Sequence, residues 1–448
     1  MVPTDEGDVR RLWVANCNSE YMVDRLDELD PKEREGTPVV GARMVWLLRD
    51  GDVLVLPQPV DPSFVSQVGA LMGFDPARVT LLTPEDDSVR VLSQDVLHRA
   101  DILGPLRALV QVPGDWEVRA YLSDRGIAAL ARAIGLPEGA VSAFDSAGGA
   151  ELFNSKAGFR ALAAGLSVPV PDGAVCATRG DLERVLDRLT APTGAVIVKA
   201  DRNSGGTGNL LCLADPRIPA LGASRTLPLT GEGALEAIVS HTRLEATHAP
   251  HGQVIAETYH PHCRSLCLEV LCPAPEDGPP HVLNIGEMLM EPVWNGFIMP
   301  APDTLAENVH DTLVENALRL AAGMRDFGYR GLVNIDAIVA PDGHVWFNEV
   351  NARLGGCTHL HHLAAVLLGP HWQRDHVLAT HNDLPTRSLP QLLKKLDEHR
   401  LAFTASTGQG VVITADDSRR SGTVEYAVLA TDLDTARTME SRLRALAT

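Results

Sequence analysis

One segment limits what this chain can fold into more than any other: LVNIDAIVAPDGHVWFNEVNARLGG, residues 332–356. Two apolar runs rich in β-branched residues flank Ala340-Pro341-Asp342-Gly343, a turn-forming composition, so the segment reads as strand, tight turn, antiparallel strand. With Ala340 opposite Val345, counting outward sets Asp336 directly opposite Glu349. Glu349 and Asn351, two apart, then share one face of their strand. Facing like charges destabilise a sheet unless a cation lies between them. Two carboxylates and an amide form an all-oxygen donor set of the kind that holds Mg²⁺ while leaving positions for water and phosphate oxygens. The competing reading is a solvated strand face.

The rest of the chain sets this hairpin in an α/β context. Residues 1–145 alternate apolar runs, RLWVANCN, VVGARMVWLL and DVLVLPQ, expected as strands, with helical stretches such as PSFVSQVGALMGF and SDRGIAALARAIG, which predicts an α/β layer on a parallel sheet. From residue 146 to 388, helices and strands include NSKAGFRALAAGL, the helix DLERVLDRL, the strand AVIVKAD, a glycine-rich hairpin RNSGGTGNLLCLA and the strand GQVIAETYH. Residues 389–448 read as helix, strand, strand, helix, a small C-terminal α+β domain.

Composition closes off several functions. The 448 residues carry a formal charge of −19, which argues against nucleic acid or an anionic membrane as partner, because both need clustered Lys and Arg. No run reaches the roughly 18 apolar residues that a membrane span needs. Seven cysteines, an odd number behind a start without a signal pattern, read as reduced thiols, and cytoplasmic residence is the expectation. His260, His262, Cys263, Cys267 and Cys272 cluster in sequence, yet no CxxC pair occurs and the segment alternates like a strand.

Other chemistry-bearing residues follow in order. Lys156 opens a helix. Lys199 ends AVIVK just before a glycine loop whose backbone N–H groups could cradle phosphates. That loop is followed by a strand, where a Walker loop or dinucleotide fingerprint would open a helix. Glu257 ends the strand VIA, and Arg353 follows the acidic hairpin.

Across residues 150–365 this series resembles the ATP-grasp superfamily of carboxylate–amine ligases, chiefly in the spacing of the hairpin carboxylates and the ending NEVNARLGG. The resemblance implies a pre-ATP-grasp-like α/β domain, an ATP-grasp core of α+β subdomains, and ATP and Mg²⁺ as cofactors. By this resemblance Lys156 and Lys199 contact the ATP phosphates and adenine. Ser204, Gly205, Gly206, Thr207 and Gly208 close over the triphosphate. Glu257, Thr258 and Tyr259 line the adenine hinge, and Asp336, Glu349 and Asn351 hold Mg²⁺. Arg264 is expected to face phosphate or substrate; Asn334 stands where D-alanine ligases carry an arginine, leaving Arg353 or Arg330 for the acyl phosphate. The overall plan is also similar to the pheganomycin-pathway peptide ligases, which implies joining a guanidino-bearing amino acid to the amino group of a peptide.

The chemistry implied is two-step: a carboxylate attacks the γ-phosphate of ATP, and an amine displaces phosphate from the acyl phosphate. No protein nucleophile is needed, and no GxSxG elbow occurs. Glu287 and Trp294, in NIGEMLMEPVWNG, are expected in a loop that reaches the site and offers a guanidinium a carboxylate and an aromatic face. His359, His361 and His362 mark a helix end, or one of them accepts the amine's proton. The partners expected are small-molecule amino acid and peptide substrates, with a homodimer as the assembly. Two alternatives stand beside this: a dipeptide ligase or carboxylate kinase acting on free amino acids, and a non-catalytic ATP-binding regulatory protein.

Overall fold

The computed structural model describes residues 9–23, 26–111, 116–203, 206, 208–242, 244, 252–302 and 304–447. Strands β1 (Arg10–Val14), β2 (Val53–Val55), β3 (Thr80–Leu82) and β4 (Trp116–Ala120) form a wholly parallel sheet in the order β3-β2-β1-β4. Leu12, Val14, Val53 and Val55 pack from it against Ile102, Leu106, Ile127 and Leu130 of the flanking helices. The expected α/β layer is therefore present, with one correction. VVGARMVWLL is not a strand: it is the end of the helix Pro31–Ala42 running into a 3₁₀ turn, Arg43–Leu47. Asp30 caps that helix by accepting from Lys32 N at 2.8 Å, and Pro31 occupies its first position, where a missing N–H costs nothing. Met44 to Leu48 are buried on every side, and an all-round buried helical turn has the same unbroken apolar signature as a buried strand.

The middle of the chain builds a second sheet from β5 (Gly173–Cys176), β6 (Ala195–Ala200), β7 (Asn209–Leu213), β8 (Arg225–Pro228) and β9 (Val254–Thr258), ordered β5-β9-β6-β7-β8. The glycine-rich hairpin pairs Lys199 with Asn209. Its partner elements are fixed locally: Thr178 and Asp181 form a reciprocal capping box on the helix Arg179–Thr193. Ser155 caps the helix Lys156–Gly165 and also donates to Asp201 at 2.9 Å, just past β6.

The third sheet has eight strands: β10 (Arg264–Cys272), β11 (His281–Met290), β12 (Trp294–Met299), β13 (Gly331–Val339), β14 (Val345–Asn351), β15 (Val377–Pro385), β16 (Gly410–Asp417) and β17 (Thr423–Ala430), ordered β14-β13-β10-β11-β12-β15-β17-β16. The segment around Glu287 and Trp294 is thus a β-hairpin, β11–β12, rather than a loop. The C-terminal α+β unit adds its two strands to this sheet through β15. The same unit shares an apolar core with the N-terminal one, where Trp46 and Phe64 pack with Val412 and Tyr426. Trp46 Nε1 donates to Thr414 O at 2.8 Å, and Gln67 Nε2 to Ile413 O at 2.9 Å. No helix among the described residues is long and apolar enough to cross a membrane.

The helix Thr358–Leu368 buries His359, His361 and His362 in this interior. Burial, with Arg49 and Arg11 adding, pushes His362 down to about 4, and burial does the same to His361. Depressed histidines stay neutral in the fold while the unfolded chain takes up protons below about 6.5. Stability therefore falls as pH drops from about 6.5 to 4. His362→Gln should flatten that fall by about 1.4 kcal/mol per pH unit in urea titrations read between those limits; identical slopes would refute the assignment.

Candidate active site

The hairpin that sequence alone singles out forms, but its register is not the one counted from the turn. Val339, not Ala340, pairs with Val345, and Ala340 N donates to His344 O at 2.9 Å. A bulge at Asn348 then restores the count, so that Asp336 does lie opposite Glu349 and Asn334 opposite Asn351. β10 continues the rows, with Cys267 beside Asp336 and Glu269 beside Asn334. The bulge also brings Asn348 to the wall of the cavity, where its Oδ1 accepts no hydrogen bond.

These residues face a cavity of about 520 Å³, within the size range of small-molecule sites. Asp336, Glu349 and Asn351 line one wall; Lys199, Glu257 and Thr258 of the second sheet line the opposite one. Burial, and next the charge of Glu349, raise the Asp336 carboxyl above its usual range. Burial pushes Glu349 the same way, but Lys156, Lys199 and Arg353 outweigh it and hold it low. Lys156 Nζ lies 3.3 Å from Glu349 Oε2 and donates to Asn203 O at 3.2 Å. Asn351 Nδ2 donates to Asp336 Oδ2 at 3.4 Å, while its Oδ1 accepts from Arg353 Nη2 at 2.7 Å. Two facing carboxylates, the Asn351 amide beside them and the Asn348 oxygen, which accepts no hydrogen bond, make an all-oxygen donor set that fits Mg²⁺.

On the opposite wall, Lys199 Nζ sits 2.6 Å from Glu257 Oε2, and Arg160 Nη1 donates to Glu257 Oε1 at 2.6 Å. Glu257 is only 2% exposed, so two cations hold a buried carboxylate near the end of β9. Thr258 Oγ1 has no hydrogen-bond partner, and Tyr259 Oη donates to Pro219 O at 2.8 Å. Gly206 lines the cavity at φ +75°, a left-handed conformation that suits glycine. Gly208 packs on Asn203, whereas Ser204, Gly205 and Thr207 lie outside the described residues.

Three expected site residues are elsewhere. Arg264 makes a two-pronged ion pair with Glu287, 2.9 and 2.8 Å, and donates to Thr304 Oγ1. Both belong to the strand positions that alternate with the cavity-facing row: Leu266 pairs with Glu287 and Ala337, while Cys267 pairs with Asp336. The pair therefore occupies the far face of the sheet. Arg330 is exposed and donates to the carbonyls of Arg325 and Tyr329. Of the arginines, Arg353 is the one from that expected set that lines the cavity, where its Nη1 donates to Tyr121 Oη at 3.3 Å. Trp294 lines it as well. The three histidines after Cys357 are interior residues of their helix and do not line it.

Among the described residues no group of three or more His, Cys, Asp or Glu gathers to hold a metal. The His260–Cys272 cluster is scattered: His260 stacks on Trp346 at 4.0 Å, and Cys272 Sγ donates to Ala321 O. What sequence reading missed is the N-terminal unit's share of the wall, notably Glu33, Arg43 and Tyr121. Arg43 left one signal, a lone cation inside an apolar run.

Two sheets closing on a cavity, one carrying a paired-carboxylate hairpin and the other a lysine and a glycine turn, define an ATP-grasp fold behind a pre-ATP-grasp domain. A family model described as "Pre ATP-grasp domain" matches residues 41–136, and one described as "PGM1 C-terminal domain" matches 391–443. The chain is similar to the N5-carboxyaminoimidazole ribonucleotide synthetase from Thermus thermophilus (18% identity, 98% of each chain, TM-score 0.57). It is similar also to the biotin carboxylase domain dimer of the Hydrogenobacter thermophilus 2-oxoglutarate carboxylase, solved with MgADP, ADP and bicarbonate (13% identity, 97% of this chain and 90% of that one, TM-score 0.59). A third is an L-amino acid ligase from Bacillus licheniformis (13% identity, 98% of each chain, TM-score 0.53). No curated protein matches the sequence.

Proposed function

We propose that this chain is an ADP-forming carbon–nitrogen ligase dependent on ATP and Mg²⁺. A carboxylate takes the γ-phosphoryl group of ATP, and an amine then displaces phosphate to leave an amide, ADP and phosphate. The observation that carries the reading is the meeting of Asp336, Glu349 and Asn351 with Lys199 and the Glu257 hinge in one cavity. Mg²⁺, held by the hairpin oxygens, would supply charge neutralisation at the phosphate oxygens. Lys199 and Lys156 place positive charge beside that position, Glu257 to Tyr259 line the nucleoside end, and Arg353 stands where the reacting carboxylate needs a cation. The MgADP named in the Hydrogenobacter structure supports the choice of cofactors.

The finer reading takes an amino acid as donor, a guanidino-bearing one included, and a peptide amino group as acceptor. With Glu287 on the far face of its sheet, Glu33 is a carboxylate that lines the cavity and could meet a guanidinium. A second reading, free amino acids joined to a dipeptide, draws support from the likeness to the L-amino acid ligase. ADP release with a panel of amino acids and peptides, product masses read by mass spectrometry, separates the two; no release with any pair would refute ligation. Cytoplasmic residence and a homodimer belong to the same proposal, supported by seven free cysteines and by the dimer named above, and light scattering tests the assembly.

The glycine turn gives this reading a further test. Gly206 has φ +75°, and a Cβ there would come 3.1 Å from Gly222 O. Gly206→Pro, with φ fixed near −65°, cannot adopt that conformation. It should lower amide formation more than nucleotide affinity and raise the ADP formed per ligated product, because a poorly closed site admits water to the acyl phosphate. Equal losses in binding and ligation would remove the loop from that role.

A further inference from the structure

Trp294 opens β12 at the wall of the cavity and is held from three directions. Its ring lies 5.2 Å from the Phe297 ring, and the Arg43 guanidinium stands 5.2 Å from its centroid. On a third side the chain comes so close that a Cβ on Gly356 would fall 2.8 Å from the indole. Arg43 is in turn fixed by Glu425: its Nε and Nη2 donate to Oε2 and Oε1 at 2.7 and 2.6 Å, with the two side chains 8% and 7% exposed. Glu425 belongs to β17 of the C-terminal unit, 382 residues away in sequence. A guanidinium with both carboxylate contacts made and little water around it has one position, and the aromatic face it stands over has one as well.

We propose that the C-terminal unit sets substrate selection through this relay, Glu425 to Arg43 to Trp294. Trp294 contacts the amino acid side chain at the substrate end, and Arg43 and Glu425 are positioning residues that fix the angle of its ring. This rests on the ligase reading above. It assigns the C-terminal unit a part in choosing the substrate in addition to covering apolar surface. β17, paired on both sides by β15 and β16, carries the carboxylate that reaches the N-terminal unit's cavity-lining arginine.

Removing Glu425 alone leaves a buried cation unpaired and risks unfolding, so the informative protein is Arg43→Met/Glu425→Leu, in which both charges go together. With an amino acid that supports ADP release in the parent, its KM should rise about five- to tenfold and the ATP KM should stay at the parental value. Trp294→Phe should show the same split, and adding it to the double variant should change little further, because the two act through one contact. A second arm needs no substrate. In protein labelled with 5-fluorotryptophan, the ¹⁹F resonance lost in Trp294→Phe should shift in the double variant while those of Trp13, Trp116, Trp346 and Trp372 hold. If the parent releases no ADP with any amino acid, the ligase reading fails and the resonance alone decides the relay. An unmoved Trp294 resonance, or KM changes for ATP and amino acid in equal measure, would overturn it.

Discussion

Glu349→Gln should cut Mg²⁺-dependent ADP release by roughly 10²–10³-fold, the scale seen when one preorganised charge-stabilising group is removed from a site. The substitution keeps the side-chain volume and its place opposite Asp336. What goes is the negative charge, which Lys156, Lys199 and Arg353 hold ionised. The thermal midpoint should stay close to the parental value, because two effects oppose: repulsion with Asp336 disappears, and Lys156 loses an ion pair at 3.3 Å. A coupled ADP assay across a Mg²⁺ titration, run beside a melting curve, reads both quantities. Turnover within a few-fold of the parent would end the assignment of this pair to the metal.

Lys199→Ala carries the second large effect, a loss of about 1–3 kcal/mol in affinity for a non-hydrolysable ATP analogue. Two physical consequences add. The ammonium is gone, and Glu257, 2% exposed, keeps Arg160 on Oε1 but has no cation between its Oε2 and an anionic ligand. Glu257→Gln placed on top of Lys199→Ala should therefore recover part of the affinity in calorimetric titration. Unchanged nucleotide binding in the single variant would remove Lys199 from the site.

The acidic hairpin shows how far local pattern reaches. Asp336 and Glu349 face each other as counted from the turn, although the ladder near the turn is shifted by one residue and the bulge at Asn348 shifts it back. Right partners came through a wrong path. A bulge has no residue signature of its own in VWFNEVN, where the period of 2 can be counted straight through Asn348. Arg264 and Glu287 failed for a related reason. On β10, Leu266 and Leu268 are buried on one face, Cys267 and Glu269 on the other. Where both faces are covered, alternation no longer tells which one looks into a cavity.

What the sequence determined by itself was local: the helices with capping residues, the hairpin with its turn letters, the parallel N-terminal layer, and the convergence of Asp336, Glu349 and Asn351 on one face of the two-stranded hairpin. Each depends on periods of 2 or 3.6 and on contacts a few residues apart. Only the tertiary structure decided that VVGARMVWLL winds into a helical turn, because burial from every side erases the period that would reveal it. Only it decided that Arg353 meets Tyr121, 232 residues away, and that Arg43 meets Glu425 across 382. Such pairs form when separately stable layers dock and desolvate their polar groups together, and neither partner's neighbours in sequence record which group it will meet.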